Sequence, residues 1–190
     1  MLDTYADIAA AHYADSLITA QRLQEAVNML VAEPSAENLD AARDAWLAAR
    51  VPYQQTEVFL FGNAIVDDWE GKVNAWPLDE GLIDYVNASY GGPTDENAFA
   101  ALNVIANPTF PLSGQVVDAT EITPAFLEDT LQEADGVEAN VTTGYHAIEF
   151  LLWGQDLNGH CAGAGNRPWT DYAQGDACTS EVTVTLGDRD

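Results

Sequence analysis

His146 and Glu149 stand three positions apart, and an imidazole and a carboxylate at that spacing are neighbours on the surface of one α-helix. Such a pair can offer one nitrogen and one oxygen ligand to a metal ion from a single helix. It can equally bond to itself or to a neighbouring helix, as many buried polar pairs do. The surroundings sharpen the choice. Between Val141 and Trp153 the only formally charged residue is Glu149. Val141, Tyr145, Ile148 and Leu152 share one face of the wheel, while Ala147, Phe150 and Leu151 cover most of the rest. Apolar cover nearly all round predicts a buried helix from about Glu138 to Trp153, ended by Gly154. A buried carboxylate without a partner costs several kcal/mol, so Glu149 is expected to have one. The candidates are a metal ion, Arg50, Arg167, or His146 itself.

A second constellation is Trp46, Arg50, Tyr53 and Glu57, which recur at three- and four-residue intervals and so share a helix face. A face of mixed aromatic, cationic and anionic groups is unusual for plain core, although a packed tryptophan beside a solvated Arg50–Glu57 ion pair would also produce it. Other chemistries lack their residues. The zinc-protease pattern His-Glu-x-x-His, the paired Glu-x-x-His helices of di-iron bundles, the Gly-x-Ser-x-Gly nucleophile turn and a phosphate-cradling glycine loop do not occur.

Charge narrows the partners. The 190 residues carry 31 acidic and 6 basic side chains, a formal net charge of -25. Nucleic acid is excluded as a partner, since phosphate neutralisation needs clustered Lys and Arg. An anionic bilayer would repel the chain, and the longest apolar runs, such as Phe150 to Trp153, fall far short of a membrane span. Acidity of this kind keeps a protein solvated, and a negative cleft also gathers cations.

The elements that must carry these residues are helical. Apolar residues recur with a helical period from Asp3 to about Val31, and Pro34-Ser35 then interrupts, with Ser35 as the expected N-cap of a second helix running toward Phe61. Pro52 is expected to kink or break that helix. Two long helices on so short a turn form an antiparallel hairpin. Residues from Gly62 to Pro77 read as irregular loop, Asp79 to Val86 as a short helix, Glu96 to Ala106 as another, and Pro108 to Pro111 as extended loop. Thr123-Pro124 opens a helix expected to end near Asp135-Gly136. The whole reads as an all-α helical bundle with long antiparallel helices and irregular loops, one domain over 1–190 with its core about 3–175 and a tail at 176–190. In the Gly-rich C-terminal segment, Val182, Val184 and Leu186 alternate as a short strand or a frayed tail would. Cys161 and Cys178 also lie there, and a disulfide between them would contribute roughly 3 kcal/mol in an oxidising compartment. Residues 1 to 30 show no charged segment followed by an apolar one, so in a secreted protein the leader is expected to have been removed.

Several of these segments together resemble one family. Gly144-Tyr145-His146-Ala147-Ile148-Glu149 matches the Gly-x-His-x-x-Glu motif of the imelysins, and the Trp46, Arg50, Tyr53, Glu57 series followed by Phe61-Gly62 looks like their conserved helix. Trp76-Pro77-Leu78-Asp79, Ile83-Asp84-Tyr85, and Gly165-Asn166-Arg167-Pro168 with Asp171-Tyr172 are similar to further family segments in the right order. The resemblance covers most of residues 5 to 172 and is to the N-terminal half, or a truncated form, of a longer protein built from two helical halves. It implies a periplasmic or cell-surface location and a link to iron-regulated uptake. His146 and Glu149 would be ligands of a divalent metal, iron or zinc. Gly144 would allow close approach of a neighbouring helix, and Glu57, Arg50, Trp46 and Tyr53 would line the site.

Three functions follow as expectations. The first is an envelope protein that binds a metal ion or an iron complex through His146 and Glu149, with Glu57 as a further donor. The second is a metallopeptidase of the imelysin type, in which the metal activates water. The third is a non-catalytic domain that binds other envelope proteins, with the His146–Glu149 pair purely structural.

Overall fold

A computed structural model of the chain describes residues 2–60, 62–158 and 163–173. It is mostly helical, as the periodicity requires, and divides into two compact units, Met1–Gly71 and Lys72–Asp190.

The first unit is built on α1 (Leu2–Ala32) and α2 (Ala36–Gln55). Ser35 caps α2 as expected, its hydroxyl accepting the amide of Asn38 at 3.1 Å. The rings of Tyr5 and Tyr13 near the start of α1 meet Phe59, just past the end of α2, at 5.4 and 6.2 Å, so the two helices run antiparallel. Leu23 and Leu30 of α1 and Leu39, Ala42, Trp46, Ala49 and Tyr53 of α2 are buried. Pro52 does not end α2, which runs on to Gln55. The helix stops at Thr56, whose amide and hydroxyl both bond back to the Tyr53 carbonyl, at 2.8 and 2.7 Å. The expected extension toward Phe61 is replaced by a 3-10 turn, Glu57–Phe59.

Where the pattern predicts a loop at Gly62 to Pro77, the chain forms α3 (Ala64–Val73). None of its residues is buried, although Ile65, Val66, Trp69 and Val73 recur with a helical period. Its placement rests on Trp69, whose ring packs edge-on against Tyr13 and obliquely on Tyr53.

The second unit follows with α4 (Glu80–Ile83), a hairpin of β1 (Thr109–Leu112) and β2 (Gln115–Asp118), α5 (Pro124–Phe126) and α6 (Gly144–Trp153). The strands pair antiparallel from Thr109↔Asp118 to Leu112↔Gln115, where an extended loop is expected. Ser113 and Gly114, with φ of 50° and 77°, supply the tight turn that closes them. Residues 96–106 form two separate turns, at 98–101 and 104–106, instead of a helix. The amides of Asn103 and Val104 bond to the carbonyls of Gly81 and Leu82 at 2.7 and 2.9 Å, so they satisfy the end of α4 rather than a helix of their own. Thr123 caps α5 with Pro124 at its first position, as predicted. A π-helical turn, Leu127–Leu131, extends it, and the run ends there rather than at Asp135-Gly136, because Glu133 and Asp135 take left-handed backbone conformations.

Leu82, Phe99, Val104, Phe110, Ala119, Leu131 and Ala134 form the main core of this unit. A smaller cluster of Ile83, Ala147 and Phe150 ties α4 to α6. Buried Asn97 and Asn140 join the two ends of the unit's central loops: Asn97 donates to Asn140 at 2.7 Å and to Asp79, and Asn140 donates to the Ala134 carbonyl at 2.8 Å.

Candidate metal centre

The motif helix α6 is shorter than its periodicity suggests, beginning at Gly144 rather than near Glu138. Gly144 has φ of 84°, and a Cβ built there would lie 2.4 Å from the Val73 carbonyl oxygen. Only glycine fits so close an approach in that conformation. Helical hydrogen bonding therefore cannot run in from residues 138–143, whose polar groups are used elsewhere. Thr142 Oγ1 donates to the Leu127 carbonyl at 2.9 Å, and Thr143 Oγ1 donates to the Lys72 carbonyl at 2.8 Å. At the other end Gly154, with φ of 70°, closes the helix through its amide to Phe150 at 2.7 Å, as the sequence predicts. Tyr172 donates its hydroxyl to the Leu151 carbonyl and clamps the last turn.

On this anchored helix His146 Nδ1 lies 2.9 Å from Glu149 Oε2. The imidazole is mostly covered, at 17% side-chain exposure, whereas the Glu149 carboxylate is 43% exposed and is not the buried charge the wheel predicts. Tyr145, Ala147, Phe150 and Leu152 take the core positions, which leaves His146 and Glu149 on the half-open side. The carboxylate accepts from Nδ1–H and so fixes the tautomer of the ion-free imidazole, and Nδ1 and Oε2 lie close enough to meet one metal ion together.

Two residues that neither spacing nor charge singles out complete the surroundings. The Trp76 ring packs 4.9 Å from that of His146, tilted by 52°. Glu80, at the start of α4, has its pKa raised above the ordinary 4.5, first by burial and then by the nearby charges of Asp156 and Glu149. The family-like segment Trp76-Pro77-Leu78-Asp79 pointed to the region but not to the ring contact. Among the described residues, no three His, Cys, Asp or Glu side chains converge as a ready metal cage.

Arg167 does not serve Glu149 as the sequence allowed. Arg167 NH1 lies 2.5 Å from Asp84 Oδ2, with both side chains 3% exposed, and its guanidinium covers the rings of Tyr85 and Phe150 at 4.9 and 5.5 Å. Arg50 belongs to the first unit, where it lies over the rings of Trp46 and Tyr53 at 5.6 and 5.3 Å. Trp46, Arg50 and Tyr53 do share α2, while Glu57 falls in the 3-10 turn beyond it and is exposed. Phe61, Cys161 and Cys178, with the expected disulfide, and the Val182 to Leu186 alternation lie outside the described residues.

Among the described residues no helix is long and apolar enough to cross a membrane. A protein named Iron-regulated protein A, from Synechococcus elongatus, is 42% identical over 60 residues, a stretch amounting to 32% of this chain and 17% of that protein. The sequence profile of the Imelysin family (Peptidase M75) matches residues 9–186. That match covers nearly the whole chain, from α1 through the motif helix and beyond, and the protein belongs to the imelysin family.

Proposed function

We propose that this protein is an extracytoplasmic metal- or iron-complex-binding protein that works in iron uptake, with His146 and Glu149 presenting the ligands. The observation that carries it is the 2.9 Å contact between His146 Nδ1 and Glu149 Oε2 on the outward side of α6. At that separation Nδ1 and Oε2 can ligate one cation side by side, the ion taking the place of the proton between them. The donor set suits iron or zinc, which accept mixed imidazole and carboxylate ligation. Two protein ligands leave most of the coordination sphere to water or to the ligands of a bound complex, which favours a carrier of an iron species. Family membership and the name of the Synechococcus relative support the link to iron. The formal charge of -25 supports cation capture through the field it creates.

Calorimetric titration with ferrous and zinc ions tests this. The wild type should bind and His146→Ala should not; silence in the wild type or equal binding in both would remove the proposal. The family's description as a peptidase favours a second function, in which a metal held by the same pair activates water for peptide hydrolysis. Cleavage of an unfolded protein that chelator and Glu149→Gln both abolish would establish it, and cleavage that survives both would mark a contaminant.

A further inference from the structure

The segment that joins α3 to α4 is tied down on both sides of Trp76. Before it, the Lys72 carbonyl accepts from Thr143 Oγ1 at 2.8 Å, and the Val73 carbonyl lies close against Gly144. After it, Leu78 packs against the cluster of Ile83, Ala147 and Phe150, and the Asp79 amide bonds to the Ala139 carbonyl at 2.8 Å. The Asp79 carboxylate in turn accepts from the Tyr90 hydroxyl at 3.2 Å and from the Asn97 side chain. These ties lay the Trp76 ring 4.9 Å from that of His146, while the tryptophan itself stays 68% exposed. An indole left that open removes little of its own surface from water. Its effect falls on the imidazole, which is only 17% exposed although it stands on the half-open side of α6.

The imidazole needs direction to serve as a ligand. The terminal torsion of a histidine is broad and roughly two-fold, and a half-turn about it carries Nδ1 away from the carboxylate and puts a carbon in its place. The Glu149 carboxylate is 43% exposed, so water competes for its bond to Nδ1 and that bond alone holds the ring weakly. A flat ring packed against the imidazole, and carried by a segment with its own anchors, makes the half-turn costly. We propose that Trp76 is a positioning residue of the metal site: its ring holds His146 in the rotamer that keeps Nδ1 beside Glu149 Oε2, so that a cation meets a pair already in place. This rests on the reading of that pair as metal ligands. The indole acts through the imidazole and needs no contact with the ion; the affinity it adds comes from ordering completed before binding.

Two measurements on the full chain test it, the first without metal. Three-bond NMR couplings about the His146 side-chain bonds should show one rotamer in the ion-free wild type and in Trp76→Phe, and averaging in Trp76→Ala. Zinc titration by calorimetry should give an affinity lowered about tenfold or more in Trp76→Ala and kept within about threefold in Trp76→Phe, with His146→Ala binding none. Because Trp76 is mostly open to solvent, ion-free Trp76→Ala should unfold at nearly the wild-type urea concentration; if it does not fold, Trp76→Leu, which lacks the flat ring but keeps apolar bulk, replaces it in both measurements. An averaged His146 in the wild type, or an unchanged one in Trp76→Ala, would overturn the inference whatever the metal does. Zinc bound equally by wild type and Trp76→Ala but not by His146→Ala would overturn it and leave the pair as ligands. No zinc bound by the wild type would remove the metal reading and this inference with it.

Discussion

Gly144 and Val73 meet so closely that a single added methyl at residue 144 would sit 2.4 Å from the Val73 carbonyl oxygen, in a backbone conformation with φ of 84°. The glycine of the family motif is thereby explained by backbone geometry rather than chemistry, because it lets α6 start where it does and so sets the direction of His146 two residues later. Gly144→Ala should destabilise the protein by roughly 2–5 kcal/mol, the sum of left-handed strain and a forced backbone shift. Urea unfolding checks this, and a loss below about 1 kcal/mol would mean that the contact relaxes easily.

Arg167 and Asp84 are 83 positions apart and pair in the interior of the second unit at 2.5 Å. Removing one partner strands the other charge away from water. Arg167→Met should cost about 3–5 kcal/mol, and adding Asp84→Leu should recover much of it, because the pair together is far less costly to replace than to break. Denaturant unfolding of the two single variants and the double variant gives the coupling directly. Additive losses would show that the ion pair does not hold the loop of Gly165 to Pro168 against α4.

The long elements were legible in the sequence, and the reason is local. α1 and α2 carry a sustained apolar period, and Ser35, Thr123-Pro124 and Gly154 act on backbone groups within a few residues of themselves. The failures come from partners distant in sequence. Residues 96–106 look helical by composition, yet the amides of Asn103 and Val104 are claimed by α4. α3 is short and has Gly71 in its last turn, so its apolar period of Ile65, Trp69 and Val73 spans little more than two turns. At the site, the contact between His146 and Glu149 follows from helical spacing, whereas Trp76 against His146, Glu80 beside Glu149 and Asp84 beneath Arg167 all depend on the tertiary fold. The predicted burial of Glu149 failed because a wheel ranks residues by neighbours on one helix and cannot see which side the rest of the unit leaves open.

Glu80 makes the site's electrostatics measurable. Burial and then the charges of Asp156 and Glu149 hold its pKa above 4.5, so the folded protein binds this proton more tightly than the unfolded chain. Its contribution to stability is therefore full below 4.5 and is lost as pH rises through the raised value. Glu80→Gln should match the wild type in acid and become the more stable of the two as pH rises above that range. Glu149→Gln should lower the Glu80 pKa by removing one of the charges that raises it. Stability curves of the three proteins against pH read both effects, and a wild-type-to-Glu80→Gln difference that stays flat with pH would show that Glu80 is not perturbed.

Metal retention tests the central claim most directly. Wild type and a His146→Ala, Glu149→Ala double variant would be incubated with ferrous or zinc ions, passed into chelator-free buffer and analysed for metal content. With His146 Nδ1 held 2.9 Å from Glu149 Oε2, close enough for both to ligate one ion, the wild type should keep about one ion per chain and the variant none. Equal metal content in a variant that still folds would contradict the account and leave the pair a structural contact within α6.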